Sequence, residues 1–202
     1  HFGYPKERCH LVPPAIETAV IPETYERETQ NYLLYPAVTW AHKEHKFLIK
    51  VIEQFKDLDL VLVGGRGPLH NEVLKAMQRS PASDRITHLG TVDQEKLDEL
   101  YRHALCTAFP SQYEGFGQPV IEAMARGCPV ISSQGGALPD TVGTGGITIP
   151  TELDQWIEAV NTIRQPDRRQ QWIENGFKRA ADFSNDQAAT AQLAVYNKLL
   201  RQ

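Results

Sequence analysis

The chain has 202 residues, 41% of them hydrophobic and 23% charged, with a formal net charge of −4. That length suits one compact domain with a core of its own, and the composition excludes a disordered or fibrous chain. The 21 basic residues are scattered rather than clustered, so the electrostatic footprint of a nucleic-acid binder is absent and nucleic acid is excluded as a partner.

The first 31 residues carry Pro5, Pro13, Pro14 and Pro22 and then the polar run ETYERETQN, punctuation that reads as a linker or arm. The opening HFGYPKERCH has neither a secretory pattern nor an initiator Met, so the sequence is expected to be a portion of a longer protein. From residue 32 to 202 short apolar runs alternate with longer amphipathic ones, the pattern of a parallel sheet covered on both faces. Strands are predicted near Tyr32 to Val38, Leu58 to Val63, Ile86 to Leu89, Leu105 to Phe109, Val130 to Ser132 and Ile147 to Ile149. Helices are predicted over Lys43 to Phe55, Pro68 to Arg79, Gln94 to His103, Pro119 to Arg126, Leu153 to Arg164, Asp167 to Asp182 and Asn185 to Leu200. The fold class is therefore α/β, a Rossmann-like parallel sheet of about six strands with helices on both faces. The last helix carries Ala189, Leu193, Tyr196 and Leu200 on one stripe, which asks for an apolar partner surface.

Cys9, Cys106 and Cys128 form no CxxC pair, and two of them sit in apolar stretches. They read as interior thiols of a reducing, cytoplasmic compartment. Apolar runs such as LDLVLVGG from Leu58 fall far short of the roughly 20 residues that a membrane-spanning helix needs.

Strand, Gly-rich loop and helix succeed one another three times, as LVLVGGRGP, CTAFPSQYEGFGQP and VISSQGGALP. In open α/β sheets ligands bind beyond the carboxyl ends of the strands, where these loops lie. In PSQYEGFGQPVIEAM, Pro119 suits a first helical turn, and Gly115 and Gly117 let an anion approach the main chain. Exposed amides and the partial positive charge of the helix start make that loop a site for a diphosphate. Glu114 on the loop and Glu122 one turn inside the helix suit hydroxyl recognition, Glu122 of a ribose and Glu114 of a second sugar. The same two acids also fit a helix-start carboxylate and a solvated surface glutamate.

The segment YEGFGQPVIEAMARG, with CPVISSQGGALPD after it, resembles the signature of glycosyltransferase family 4, retaining enzymes of the two-domain GT-B architecture. The likeness extends over LVLVGGRGP, THLGTVDQEKLDELYRHA and TAFPS, and more weakly over FSNDQAATAQLAVYNKLL. It implies that 32–202 is the C-terminal, donor-binding domain. Glu122 then corresponds to the ribose-binding acid and Glu114 to the acid contacting the transferred sugar. The backbone of Phe116, Gly117 and Gln118 would hold the diphosphate, with Lys43 as the lysine that neutralises it. Many members place an Arg a few positions before that Lys, whereas this chain has Ala37, Val38, Thr39 and Trp40 there; Arg66 is the candidate to supply the charge.

The resemblance further implies a GDP- or UDP-linked sugar donor, with a slight tilt toward GDP-mannose, and no metal cofactor. It implies a glycan or lipid-linked acceptor, an N-terminal acceptor-binding domain as partner, and peripheral association of the parent with the inner membrane face. Other activities on the same architecture are a sugar-nucleotide epimerase, a phosphorylase, or a non-catalytic sugar-nucleotide-binding subunit.

Three further motifs have simpler expectations. His42 and His45 in HKEH are spaced for a metal pair but lack a third ligand, and read equally as a helix-start surface cluster. The acidic Asp57 and Asp59 lie at the amino end of a strand, the wrong edge for a metal site, and read as a solvated turn. GGRGP fails the dinucleotide fingerprint because His70 stands where its third Gly belongs, leaving Gly64 and Gly65 either to admit a ligand or to serve as turn residues. THLGTV, in the resembled family, lies against the nucleotide base.

Overall fold

The computed structural model describes residues 9, 10, 12, 14–16 and 29–200. Most of the arm expected over 1–31 lies outside the described residues. Of the part that is described, Ile16 is buried and its amide donates to the Phe183 carbonyl at 2.9 Å.

Six strands form one sheet: β1 (Tyr32–Pro36), β2 (Asp59–Val63), β3 (Ile86–His88), β4 (Cys106–Phe109), β5 (Val130–Ser132) and β6 (Ile147–Thr148). Their order is β3-β2-β1-β4-β5-β6 and every neighbouring pair is parallel. The chain builds outward from β1 to β3, then returns to the centre and builds the other way from β4. The reversal opens a crevice between the carboxyl ends of β1 and β4, where an open α/β sheet places its ligand. Both loops that carry the predicted charges emerge there.

The helices are α1 (His45–Ile52), α2 (His70–Arg79), α3 (Gln94–His103), α4 (Gln118–Ala125), α5 (Leu138–Val142), α6 (Leu153–Ile163), α7 (Pro166–Ala181) and α8 (Asn185–Leu199). α1 packs on α2 and α6, and α4 packs on α5 and α7. Covering both faces explains why the strands read as continuous apolar runs rather than alternating ones. Leu33, Leu34, Leu60, Leu62, Ala108 and Phe109 are all fully buried. Cys106 and Cys128 lie in this interior as expected, whereas Cys9 is exposed.

Four elements differ from expectation. β1 ends at Pro36 rather than Val38, because from Ala37 to Thr39 the chain runs close beneath the glycines of the β2 loop: a Cβ on Gly64 would collide with the Ala37 carbonyl, and one on Gly67 would lie 2.6 Å from that of Thr39. The first helix is broken: Ala41–Lys43 form a 3-10 turn, Glu44 adopts a left-handed conformation with φ 53°, and α1 starts only at His45. A five-residue α5 fills the loop between β5 and β6, too short and too glycine-flanked to show a period. Finally, the stripe expected to dock α8 is exposed at Leu193, Tyr196 and Leu200, and only Ala188 of that helix is buried. Among the described residues, Ala188 in the first turn is the position of α8 most withdrawn from solvent. No helix among the described residues is long and apolar enough to cross a membrane.

α6 is locked to the sheet by Trp156, which is fully buried, donates from its indole N–H to the Pro150 carbonyl at 2.9 Å and packs edge-on against Phe47 at 5.3 Å. Trp156→Ala is expected to cost about 3–5 kcal/mol. In thermal unfolding this lowers Tm by roughly 6–20 °C for a chain of this size; a loss under about 2 °C would show that the site collapses around the smaller residue.

Candidate functional site at the β1/β4 crevice

The two loops at the reversal are tied together before any side chain meets a ligand. The buried Tyr35 hydroxyl donates to the Lys43 carbonyl at 2.6 Å and lies 3.1 Å from Ser111 Oγ. The Gln112 amide donates to the His42 carbonyl at 2.7 Å, and Gln112 Nε2 donates to Glu44 Oε1. Burial, followed by the nearby Glu114 carboxylate, pushes the Tyr35 phenol far above its ordinary range, so it remains a donor. Lys43 thus stands at the end of a turn whose backbone is anchored to the β4 loop.

Across the crevice Lys43 Nζ meets Glu114 Oε1 at 2.5 Å. Their side chains are only 17% and 13% exposed, so water screens the attraction little. Lys43 also lies 5.4 Å from the Phe109 ring at the end of β4. Glu114 is fixed in turn by the loop after β5. Its carbonyl accepts from the Ala137 amide at 2.9 Å, and Gly136, at φ 62°, offers a path that only a residue without Cβ follows comfortably. A Cβ there would collide with the Glu114 carbonyl.

The loop then turns into α4 through Gly117, whose φ of 91° strains any residue with a side chain and where a Cβ would stand 2.7 Å from Leu138 Cδ2. Phe116 turns its ring away to pack at 5.3 Å on Phe183, and its carbonyl accepts from Thr141 Oγ1 at 2.6 Å. It is the backbone of Phe116 and Gly117, not a side chain, that this loop offers. Gly115 behaves differently: a Cβ there would meet no heavy atom within 4 Å. α4 has Pro119 in its first turn and no acid there, so its partial positive charge is met by no carboxylate of its own.

Glu122 lies one turn inside α4, half-buried. Gln118 Nε2 donates to its Oε1 at 3.0 Å, and the buried Tyr101 hydroxyl of α3 donates to its Oε2 at 3.3 Å, sharing its proton with the Pro119 carbonyl at 3.2 Å. Arg126 joins the same helices, with Nε 2.5 Å from Asp98 Oδ1 and Nη1 donating to the Glu122 carbonyl at 3.2 Å.

Gly64 and Arg66 lie elsewhere. They line an open cleft of about 420 Å³ at the ends of β2 and β3, with His70, His88 and Gly90. Arg66 makes no hydrogen bond or ion pair with Lys43 or Glu114. The structure therefore places Lys43, Glu114, Gly115, Phe116, Gly117, Gln118 and Glu122 on two tied loops and one helix start, and Gly64 and Arg66 in a neighbouring cleft. In that cleft His88 Nδ1 accepts from the Gly90 amide at 3.1 Å, which places the proton on Nε2. The His70 ring stands edge-on to His88 at 5.1 Å.

The histidine pair is corrected. His42 sits on the 3-10 turn and His45 opens α1 beyond the left-handed Glu44, so they share no helix face. His45 is buried rather than a surface residue, its ring tilted against that of Tyr35 with centroids 4.8 Å apart. Among the described residues no group of three His, Cys, Asp or Glu is arranged to hold a metal ion. At the other edge of the sheet Asp57 is exposed and pairs with Arg164 at 2.9 Å, as a solvated turn would.

Tyr35, Ser111, Tyr101 and Gly136 support this site without having been foreseen. The two tyrosines occupy positions where an apolar pattern is satisfied by the ring, so the sequence signals core. Gly136 lies in the Gly-rich segment QGGALPD, and that was the one available sign.

Comparison with known proteins places the chain. The geometry is that of a parallel α/β domain with a glycine-containing loop leading into a helix start at its topological reversal. The family model for glycosyl transferases group 1 matches residues 18–179, and the chain belongs to that family. It is 29% identical over 215 residues to O-antigen chain mannosyltransferase B of Escherichia coli, an alignment covering 98% of this chain and 56% of that protein. It is 27% identical to the MMP alpha-(1->4)-mannosyltransferase of Mycolicibacterium hassiacum, covering 98% and 50%. Among solved structures, sucrose-phosphate synthase from Thermosynechococcus elongatus superposes with a TM-score of 0.76 at 28% identity, over 88% of this chain and 47% of that one. The fold is shared as well by Anabaena HepE in complex with UDP and glucose, with a TM-score of 0.75 at 20% identity over 86% and 49%. The chain spans about half the length of the curated relatives it matches.

Two outcomes follow from this geometry. Gly136→Ala is expected to displace Glu114 and to lower Tm by several degrees, since the added Cβ meets backbone rather than a flexible side chain; Gly115→Ala, measured alongside it, is expected to leave Tm within about 1 °C. Burial, with the neighbouring His88, Lys43 and His70, lowers His45 from its ordinary 6.5 to about 4. A depressed histidine stabilises the fold above the unfolded value and loses that contribution as pH falls. Tm is therefore expected to decline between about pH 6.5 and 4, and His45→Phe to flatten that decline; an unchanged slope in the variant would assign the acid sensitivity to other groups.

Proposed function

We propose that this chain is the donor-holding half of a retaining glycosyltransferase of family 4, and that the crevice binds a nucleoside diphosphate sugar. The observation that carries the reading is the meeting of Lys43 and Glu114 at 2.5 Å beside the start of α4. The diphosphate rests on the main chain of 115–118, with Lys43 and the helix start opposing its charge. Glu114 receives hydroxyls of the transferred sugar and Glu122 those of the ribose. The base occupies the cleft of Gly64, Arg66 and His88, and Arg66 contributes positive charge from its edge.

Loss of the leaving group builds negative charge on the diphosphate while the sugar gains oxocarbenium character. A fixed lysine and fixed amides stabilise that separation without reorganising. Lysine suits the task as a compact point charge on a mobile stem. In the free site its partner is Glu114; the incoming diphosphate takes that place, releasing Glu114 to the sugar.

The mannosyltransferases among the relatives favour mannose as the sugar, and GDP-mannose as the donor to try first; HepE, whose complex holds UDP, keeps UDP-sugars in view. We place the acceptor, a glycan or a lipid-linked glycan, on an N-terminal domain of the parent. This chain then binds donor with negligible turnover by itself, needs no metal, and belongs to a cytoplasmic protein that works at the inner face of the membrane.

Thermal shift with GDP, UDP, GDP-mannose and UDP-glucose tests the reading. A ligand at 100 times its Kd stabilises by about 2.7 kcal/mol, which raises Tm by roughly 5–10 °C here. One base is expected to give such a shift, and Lys43→Ala to remove most of it for the diphosphate while sparing the smaller shift given by the nucleoside. Silence with all four nucleotides, under conditions where the fold is intact, would refute the proposal.

A further inference from the structure

The carboxylate of Glu122 is held from two sides by groups that no part of the reaction requires. Gln118 Nε2 reaches Oε1 at 3.0 Å, and the Tyr101 hydroxyl reaches Oε2 at 3.3 Å. An ionised carboxylate has about four acceptor positions, two on each oxygen. One on each is already filled, and one on each remains. Two open positions on the two oxygens of one carboxylate match two neighbouring hydroxyl donors, which is the demand of a vicinal diol.

One of the two holding groups is itself fixed by burial. Tyr101 is fully buried on α3, and burial, followed by the Glu122 charge, pushes its phenol far above the ordinary range, so it stays protonated and keeps a proton to donate. The Arg126 guanidinium lies 5.8 Å from the Tyr101 ring and pairs with Asp98 of α3, closing a frame of two helices around the carboxylate. Gln118 and Glu122 are one turn apart on α4 and share a face. A carboxylate held on both oxygens is restrained in rotation about its terminal bond, and that rotation is what decides whether one hydroxyl or two can be accepted.

We propose that Tyr101 and Gln118 are positioning residues that set the rotation of Glu122 and thereby make the site select a ribonucleotide over its deoxy counterparts. This inference rests on the reading of Glu122 as the ribose acceptor and adds what orients it. Neither residue touches the reacting atoms. The effect of the Tyr101 hydroxyl and the Gln118 side-chain amide is on discrimination; the affinity common to all nucleoside diphosphates comes from Lys43 and the main chain of the loop, that of Gln118 included.

Calorimetric titration of this chain with GDP, 2′-deoxy-GDP and 3′-deoxy-GDP, and with the matching uridine series, tests it. The wild type is expected to bind the ribonucleotide on the order of 10- to 100-fold more tightly than either deoxy form, the range for one charge-assisted hydrogen bond. Tyr101→Phe is expected to cut that ratio by about threefold or more while deoxynucleotide affinity stays within about twofold, and Gln118→Leu, which removes the side-chain donor and keeps the main chain of the loop, is expected to cut the ratio likewise when read against its own deoxynucleotide affinity. Gln118 is exposed, so its variant reports even where the Tyr101 variant folds poorly.

A parallel fall of ribo and deoxy affinities in both variants would reduce the two residues to structural supports and overturn the inference. So would an undiminished ratio in both variants when Glu122→Gln abolishes it, an outcome that leaves Glu122 as the ribose acceptor. An undiminished ratio in Glu122→Gln itself removes the diol from Glu122 and the inference with it. Binding of none of the six nucleotides strikes instead at the donor-site reading, on which all of this stands.

Discussion

The crevice depends on one hydroxyl group. Tyr35 is a strand residue with its ring in the core and its oxygen between two loops that leave neighbouring strands, one carrying Lys43 and the other Ser111. Parallel strands with a reversal between them diverge at their carboxyl ends, and nothing in the sheet ladder itself fixes the distance between the loops that follow. The phenol oxygen supplies that distance. The contact of Lys43 with Glu114 and the return of the Gln112 amide to His42 span the same gap beside it.

A second layer of support comes from the far side of the reversal. The loop after β5 receives the Glu114 backbone at Gly136 and Ala137, and Ser133 Oγ donates to the Ser111 carbonyl. Glu114 is therefore gripped by its main chain and left with its carboxylate turned toward Lys43. Separating the two tasks in this way, main chain for placement and side chain for chemistry, lets one residue be rigid and responsive at once. The charge pair in turn shields two desolvated groups, each of which would be costly to leave alone in a half-buried crevice.

The sheet was legible because both its faces are covered, so each strand announces itself as an apolar run, and because strand and helix alternate. Glu114 and Glu122 were singled out by their place on and after a Gly-rich loop and Lys43 by family resemblance, and the structure brings Lys43 and Glu114 into contact. What sequence could not show was set by tertiary contact. The left-handed Glu44 breaks a helix at a residue that carries no helix-breaking letter, α5 is shorter than the period that would reveal it, and His45 hides in a charged segment while facing the core. Tyr35 and Tyr101 satisfy the hydrophobic pattern with their rings, and a pattern has no means of recording where a phenol points. The stripe on α8 was visible in the letters, but what it faces was not, since among the described residues only Ala188 of that helix is buried.

The glycines around the turn into α4 stand under two different kinds of constraint. Gly117 and Gly136 are demanded by the protein's own packing, whereas the space beside Gly115 is empty of protein atoms. Selection for a well-folded, abundant molecule would hold the first two and let the third drift. A glycine kept at 115 across a lineage would be a trace left by something outside the polypeptide, and its loss would mark a copy that had kept its shape after giving up its trade.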